Sequence, residues 1–222
     1  MLQNLPTSRY SHRTYVCSSG DGFSAQKAKA FEDTLQGLAE LRRKPYGSYD
    51  VVEIPRARRV HQSLLTAPFS VVSCFLACIR VLTVAPLGYV KQLAELERGM
   101  RSVQLRMNRG MPQGKEAVGR YSPYPGLILT NGPATGLVMV AASLWLRFFG
   151  LAPSGESGLR AIYVESWARV SSFSLTGKIL VNTGMCERVL VQWESLRERY
   201  GGAVGKDGKG QGRVEYIGPL VK

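Results

Sequence analysis

Residues 127–146 read LILTNGPATGLVMVAASLWL, twenty positions without Asp, Glu, Lys, Arg or His. A helix of about 20 residues spans about 30 Å, the hydrocarbon thickness of a bilayer. Tyr121 and Tyr124 precede the run, and Trp145, Phe148 and Phe149 stand at its far end. Amphipathic rings take such places at the two membrane–water boundaries. The run therefore predicts a transmembrane helix. Asn131 and Pro133 oppose that reading, because both are costly in lipid unless a neighbouring helix satisfies them. The competing reading is a buried helix, or a strand pair broken at Asn131–Gly132–Pro133, inside a protein core.

A second apolar stretch, residues 62–90, carries one charge, Arg80. A span over residues 64–83 places Arg80 within a turn of its end, where the side chain can snorkel to lipid phosphates. Pro86 and Gly88 mark the exit bend. Two spans make a hairpin. The expected fold is thus mostly α: a two-span transmembrane helical hairpin with amphipathic extramembrane helices and a small mixed C-terminal segment. Its blocks are a basic N-terminal arm and amphipathic helix (1–61), the membrane hairpin (62–150) with a polar helical connection (91–124), and an extramembrane C-terminal segment (151–222).

Outside these stretches the chain is basic. Twenty-nine Lys and Arg against sixteen Asp and Glu give +13 over 222 residues. The excess is spread evenly, since residues 1–61, 91–124 and 147–222 each carry +4 and Arg80 supplies the last unit. A hydrophobic content of 45% excludes wholesale disorder. A mean hydropathy of −0.07 excludes a chain made wholly of spans. Such charge favours anionic surfaces, either phospholipid head groups or nucleic acid. Arg56, Arg58 and Arg59 before the first span, with Arg80 and Arg147 near span ends, are the expected lipid-binding residues, and a basic pocket between spans suits cardiolipin. Gly132 and Gly136 form GxxxG, spacing that lets a second membrane helix approach closely.

Local periodicity fills in the remainder. Ser24 caps a helix running to about Lys44, with Ala28, Phe31, Leu35 and Leu38 on one seam. A short strand is expected over residues 50–54. Leu93, Leu96, Met100, Val103 and Met107 make a two-heptad stripe that needs a partner helix. Leu159, Ile162, Tyr163 and Trp167 suggest a helix face, SFSLTGKILVNTG a strand or short hairpin, and residues 185–200 a further helix. The first twenty residues contain no acid and several Arg and Ser, the composition of an organelle targeting segment.

Reactive chemistry is hard to find in these residues. Cys74 and Cys78 share a helix face, but Cys17, Cys186, His12 and His61 do not complete the paired spacings of a zinc site. Two histidines support no Ser-His-Asp or Cys-His order. The TGKI at Lys178 lacks the upstream glycine of a phosphate loop, and GKDGKGQG precedes no helix start. No catalytic, cofactor-binding or metal residue is expected. These features together predict a non-catalytic accessory subunit of a mitochondrial inner-membrane complex, respiratory chain or ATP synthase, with other membrane subunits and anionic phospholipid as partners. The alternative is a basic RNA-binding component of an organellar ribosome.

Overall fold

The computed structural model describes residues 10–41, 46–58, 67–84, 124–132, 134–152, 158–200 and 214–219. Strands and helices alternate along them. The order is β1 (His12–Ser18), α1 (Gly22–Leu41), β2 (Ser48–Ile54), α2 (Ala67–Val84), β3 (Leu127–Asn131), α3 (Thr135–Phe148), β4 (Arg160–Val164), α4 (Leu175–Thr183), β5 (Arg188–Val191), α5 (Glu194–Tyr200) and β6 (Val214–Tyr216). β1 and β2 pair in parallel from His12 opposite Ser48 to Ser18 opposite Ile54. The remaining strands form a second parallel sheet in the order β3-β4-β5-β6. Parallel neighbours need a crossover between them, and a helix supplies each one: α1, α3, α4 and α5. This is an α/β fold, and it corrects the expected mostly-α hairpin.

The correction turns on the twenty-residue run. It is two elements, β3 and α3, separated by a turn in which Gly132 takes φ 119°. That left-handed backbone is open to glycine and strained for other residues. α3 has fourteen residues, about 21 Å at 1.5 Å per residue, too short to cross a bilayer core. Its Val138, Met139, Val140, Ala142, Ser143 and Leu146 are buried in protein. The second predicted span is therefore a crossover helix over a sheet.

The first predicted span is a helix, shifted to Ala67–Val84, and among the described residues it alone is long and apolar enough to cross a membrane. Cys74, Cys78 and Leu82, at i, i+4 and i+8, are fully or nearly buried. They share one core with Ile54, Ile128, Val138, Tyr163 and Val189. α2 is thus seated along one stripe, flanked by the half-buried Phe75, Ala77, Ile79 and Val81, and exposed at Phe69, Val72, Leu76 and Val84.

Four other expectations change. The basic N-terminal arm contributes β1, whose Cys17 enters the core. Residues 160–164 are a strand, not a helix face. SFSLTGKILVNTG holds α4, capped by Ser174 Oγ accepting from the Gly177 N–H. Residues 185–200 divide into β5 and α5. The helix at 24–44 and the strand at 50–54 match α1 and β2 to within a few residues. The stripe at 93–107 lies outside the described residues.

A buried ion pair joins β1 to α1. Glu32 has no exposed surface, and its carboxylate accepts from Arg13 Nε (2.7 Å) and Nη2 (2.8 Å), Tyr15 OH (2.6 Å) and Tyr46 OH (2.7 Å). Burial alone would raise the Glu32 pKa, but the hydrogen bonds, Arg13 foremost, hold it below the ordinary value. The Tyr46 hydroxyl, desolvated and bonded to that carboxylate, is pushed up to about 12.

Glu32→Gln leaves the Arg13 guanidinium without its counter-charge and should lower unfolding stability by about 3 kcal/mol in chemical denaturation. Because the folded Glu32 pKa is depressed, its contribution is complete above the unfolded carboxyl pKa and fades as pH falls through the folded one. The acid limb of the wild-type stability profile should therefore flatten in the variant. Separately, Ala134 sits at φ 39° at the N-cap of α3. Ala134→Gly should relieve about 1 kcal/mol of strain and raise Tm by about 2–4 °C. An unchanged or lower Tm would contradict it.

Candidate functional site

In open parallel α/β sheets, ligands bind beyond the carboxyl ends of the strands, where helices begin and their N–H groups point outward. Four turns meet that rim here: residues 18–22, 131–132 with 134–135, 165–174 and 192–193. Hydrogen bonds link them. Ser18 Oγ, ending β1, lies 3.4 Å from Thr135 Oγ1, opening α3. The Ala134 N–H donates to Thr176 Oγ1 in α4 at 3.1 Å. The carboxyl ends of β1, β3 and β4 therefore open on one place.

Helix N-termini along this rim are not alike. α1 is capped by Asp21, whose carboxylate takes the Ser24 N–H (3.1 Å) and hydroxyl (2.6 Å). Those bonds, the hydroxyl's first, hold the Asp21 pKa below its usual value. α4 is capped by Ser174, and beneath that cap lies Glu165, 1% exposed. Glu165 accepts from Ser166 N (2.9 Å), Ser174 N (3.1 Å), Ser174 Oγ (3.0 Å) and Tyr163 OH (3.3 Å). A β-carbon at Gly177 would collide with the Glu165 carboxylate, so glycine there is what lets the acid sit under the helix. α3 differs from both. Its N-cap residue is Ala134, with no side-chain cap hydrogen bond. Gly136, in its first turn, packs so closely on Thr130 that a β-carbon would strike the Thr130 hydroxyl. The helix thus begins directly over β3 with its partial positive end beside the Ser18 and Thr135 hydroxyls.

The residues singled out from the sequence fall in several places. Gly132 lies in the β3–α3 turn and Gly136 against its own strand, where the hairpin expectation had them facing a membrane helix. Arg56 donates from Nε to the Ser19 carbonyl (3.0 Å), bracing the β1–α1 turn. Arg58 and Arg80 are exposed. Arg147 pairs with Glu187 at 3.2 Å, and Arg59 lies outside the described residues. The structure does not gather these arginines into one site. Ser18, Thr135, Glu165, Trp167 and Trp193 were not anticipated. The signal that points to Thr135 is TNGPATG at the end of an apolar strand, a strand–turn–helix transition hidden inside an uncharged run.

The family model described as "Oligosaccharide biosynthesis protein Alg14 like" matches residues 1–205. A protein named UDP-N-acetylglucosamine transferase subunit alg14 in Aspergillus fumigatus is 39% identical over 251 residues, covering 98% of this chain and 96% of the relative. A protein of the same name in Schizosaccharomyces pombe is 30% identical, covering 98% and 74%. One in Mus musculus is 28% identical, covering 86% and 67%. No solved structure matches. These matches overturn the expected accessory subunit of the respiratory chain or ATP synthase, with its mitochondrial inner-membrane address and partner subunits, and equally the ribosomal alternative. They overturn the non-enzyme assignment as well, because the relatives are named as components of a transferase. A basic, apolar composition is shared by all these classes, which is why it could not separate them. The chain belongs to the Alg14 family of oligosaccharide biosynthesis proteins.

Proposed function

We propose that this chain is one subunit of a UDP-N-acetylglucosamine transferase, and that the rim formed by residues 18–22, 131–132 with 134–135, and 165–174 is its share of the active site. The observation that supports this most is the N-terminus of α3, whose N-cap residue Ala134 makes no side-chain cap hydrogen bond and which is set beside Ser18 and Thr135 at the carboxyl edge of a parallel sheet. Transfer of a sugar from a nucleoside diphosphate builds negative charge on the departing diphosphate. Backbone N–H groups at a helix start stabilise such charge without reorganising. The hydroxyls of Ser18 and Thr135 add neutral donors and acceptors for phosphate or sugar oxygens. The described residues form a single α/β unit with one such edge. A second subunit, implied by the relatives' names, closes over it and completes the site.

Lipid contact also belongs to this reading, on different terms from a hairpin. Phe69, Val72, Leu76 and Val84 are more than half exposed on α2, and Phe148 and Phe149 are likewise exposed at the end of α3. Phe75 meets Trp145 edge-on at 6.1 Å, joining the two groups. An apolar helix face flanked by the exposed Arg58 and Arg80 suits a helix lying in the membrane interface, basic groups toward anionic head groups. The transferase would then work at the surface of the membrane on which the oligosaccharide is assembled.

Thr135→Asp separates the catalytic reading from a structural one, because its two effects have opposite signs. A carboxylate at the first position of α3 favours the helix dipole by about 0.5 kcal/mol and should hold or raise Tm. The same charge repels a diphosphate, so incorporation of labelled N-acetylglucosamine by the complete complex should fall about tenfold, the effect of about 1.4 kcal/mol. Unchanged incorporation would remove α3 from the site. For the lipid face, the double variant Leu76→Asp, Phe148→Asp should lose cosedimentation with vesicles containing anionic phospholipid while keeping its circular dichroism. Retained binding would discard that face.

A further inference from the structure

Beyond α4 on the same rim, Trp167 follows β4 and Trp193 follows β5. Their rings stack with centroids 4.5 Å apart at 40°, and the Trp193 indole N–H donates to the Trp167 carbonyl at 2.8 Å. The loop bearing Trp167 is unusually well held. Ser195 Oγ donates to the Val170 carbonyl (2.7 Å) and Arg199 Nη1 to the Ser171 carbonyl (3.1 Å). Glu165 fastens both ends of the loop through the N–H groups of Ser166 and Ser174. On this fixed frame the Trp167 side chain nonetheless stays 40% exposed. A large ring that is backed by a second ring, immobilised through its backbone and still open to solvent has the form of a binding surface.

We propose that Trp167, backed by Trp193, is the stacking platform for the N-acetylglucosamine ring handled by the transferase. The inference rests on the function proposed above and adds a specificity residue to it. At C2 to C5 the sugar carries equatorial substituents, so both faces present axial C–H groups, the partly positive partners that the negative face of an indole attracts. The placement agrees with this. β3, which leads into α3, and β5, which leads into Trp193, are two strand spacings apart, about 10 Å. That is comparable to the reach from a diphosphate to the sugar it carries, so a diphosphate at α3 and a ring on Trp167 can belong to one molecule. Donor and acceptor both offer such a ring, and kinetics distinguishes the two sources.

The test uses the complete complex and two variants, Trp167→Phe and Trp167→Leu. Both keep apolar bulk, and only the first keeps an aromatic face. Trp167→Leu should raise one KM about tenfold with kcat within about twofold, and Trp167→Phe should restore most of the loss. A raised KM for UDP-N-acetylglucosamine assigns the platform to the donor, and a raised KM for the saccharide acceptor assigns it to the acceptor. If Leu and Phe behave alike, or if Leu dissociates the complex while the KM values of the remaining complex are unchanged, the platform is overturned. Wild-type complex without transferase activity overturns the underlying function instead, so the two failures are distinct.

Discussion

Between Asn131 and Thr135 the backbone has to pass from an extended strand to a helix within a few residues, and Gly132 at φ 119° with Ala134 at φ 39° is how it does so. The sharpness of that turn sets the geometry of the whole rim. It starts α3 directly above β3, close enough that Gly136 touches Thr130. It brings Thr135 to the end of β1 and the Ala134 N–H to α4. A longer, relaxed connection would leave the helix start solvated and the three strand ends unconnected. Strain of this kind survives only where the surroundings over-determine it, and it concentrates at working sites.

The same turn explains why some elements were legible in the sequence and others were not. α1 was legible from its apolar seam, although its cap is Asp21 and not Ser24, β2 from its short apolar run between turn residues, and α2 from a nearly uncharged run that is one uninterrupted helix. The run at 127–146 misled because a parallel strand, covered on both faces, is apolar at successive positions and cannot be told from a helix by period. β3 and α3 simply add to the length of a bilayer span. In residues 185–200, Val189 on β5 and Trp193, Leu196 and Tyr200 beyond it fall at helical spacing across what is really a strand–turn–helix boundary. The aromatics at 145, 148 and 149 cluster at the end of the fourteen-residue α3, not at the boundary of a twenty-residue span. Of the arginines expected at lipid, Arg147 is paired with Glu187 and Arg56 with the Ser19 carbonyl, commitments that composition and spacing do not reveal. Of the candidate site, Gly132, Gly136 and Trp167 stand out in the sequence, but as packing positions of helices and not as parts of a strand-end rim.

Two buried acids show how differently one fold can keep a carboxylate from water. Glu32 is held by a guanidinium and two phenols across β1 and α1, so it fastens one layer to the next with opposite charge. Glu165 has hydroxyl and backbone N–H partners at the start of α4, and it shapes a loop rather than joining layers. Desolvating a charge is tolerable only when its lone pairs are taken up, and both sites meet that condition. One is expected to matter to the whole domain and the other to the contour of the rim.

The second sheet ends, among the described residues, at β6, which is three residues long. Its Glu215 is paired with Arg188 on the neighbouring strand, so charge sits where an unpaired border would otherwise be flat and inviting. A ladder of that length offers too few backbone groups for another polypeptide to extend the sheet. Self-association by strand addition is thereby discouraged at that border.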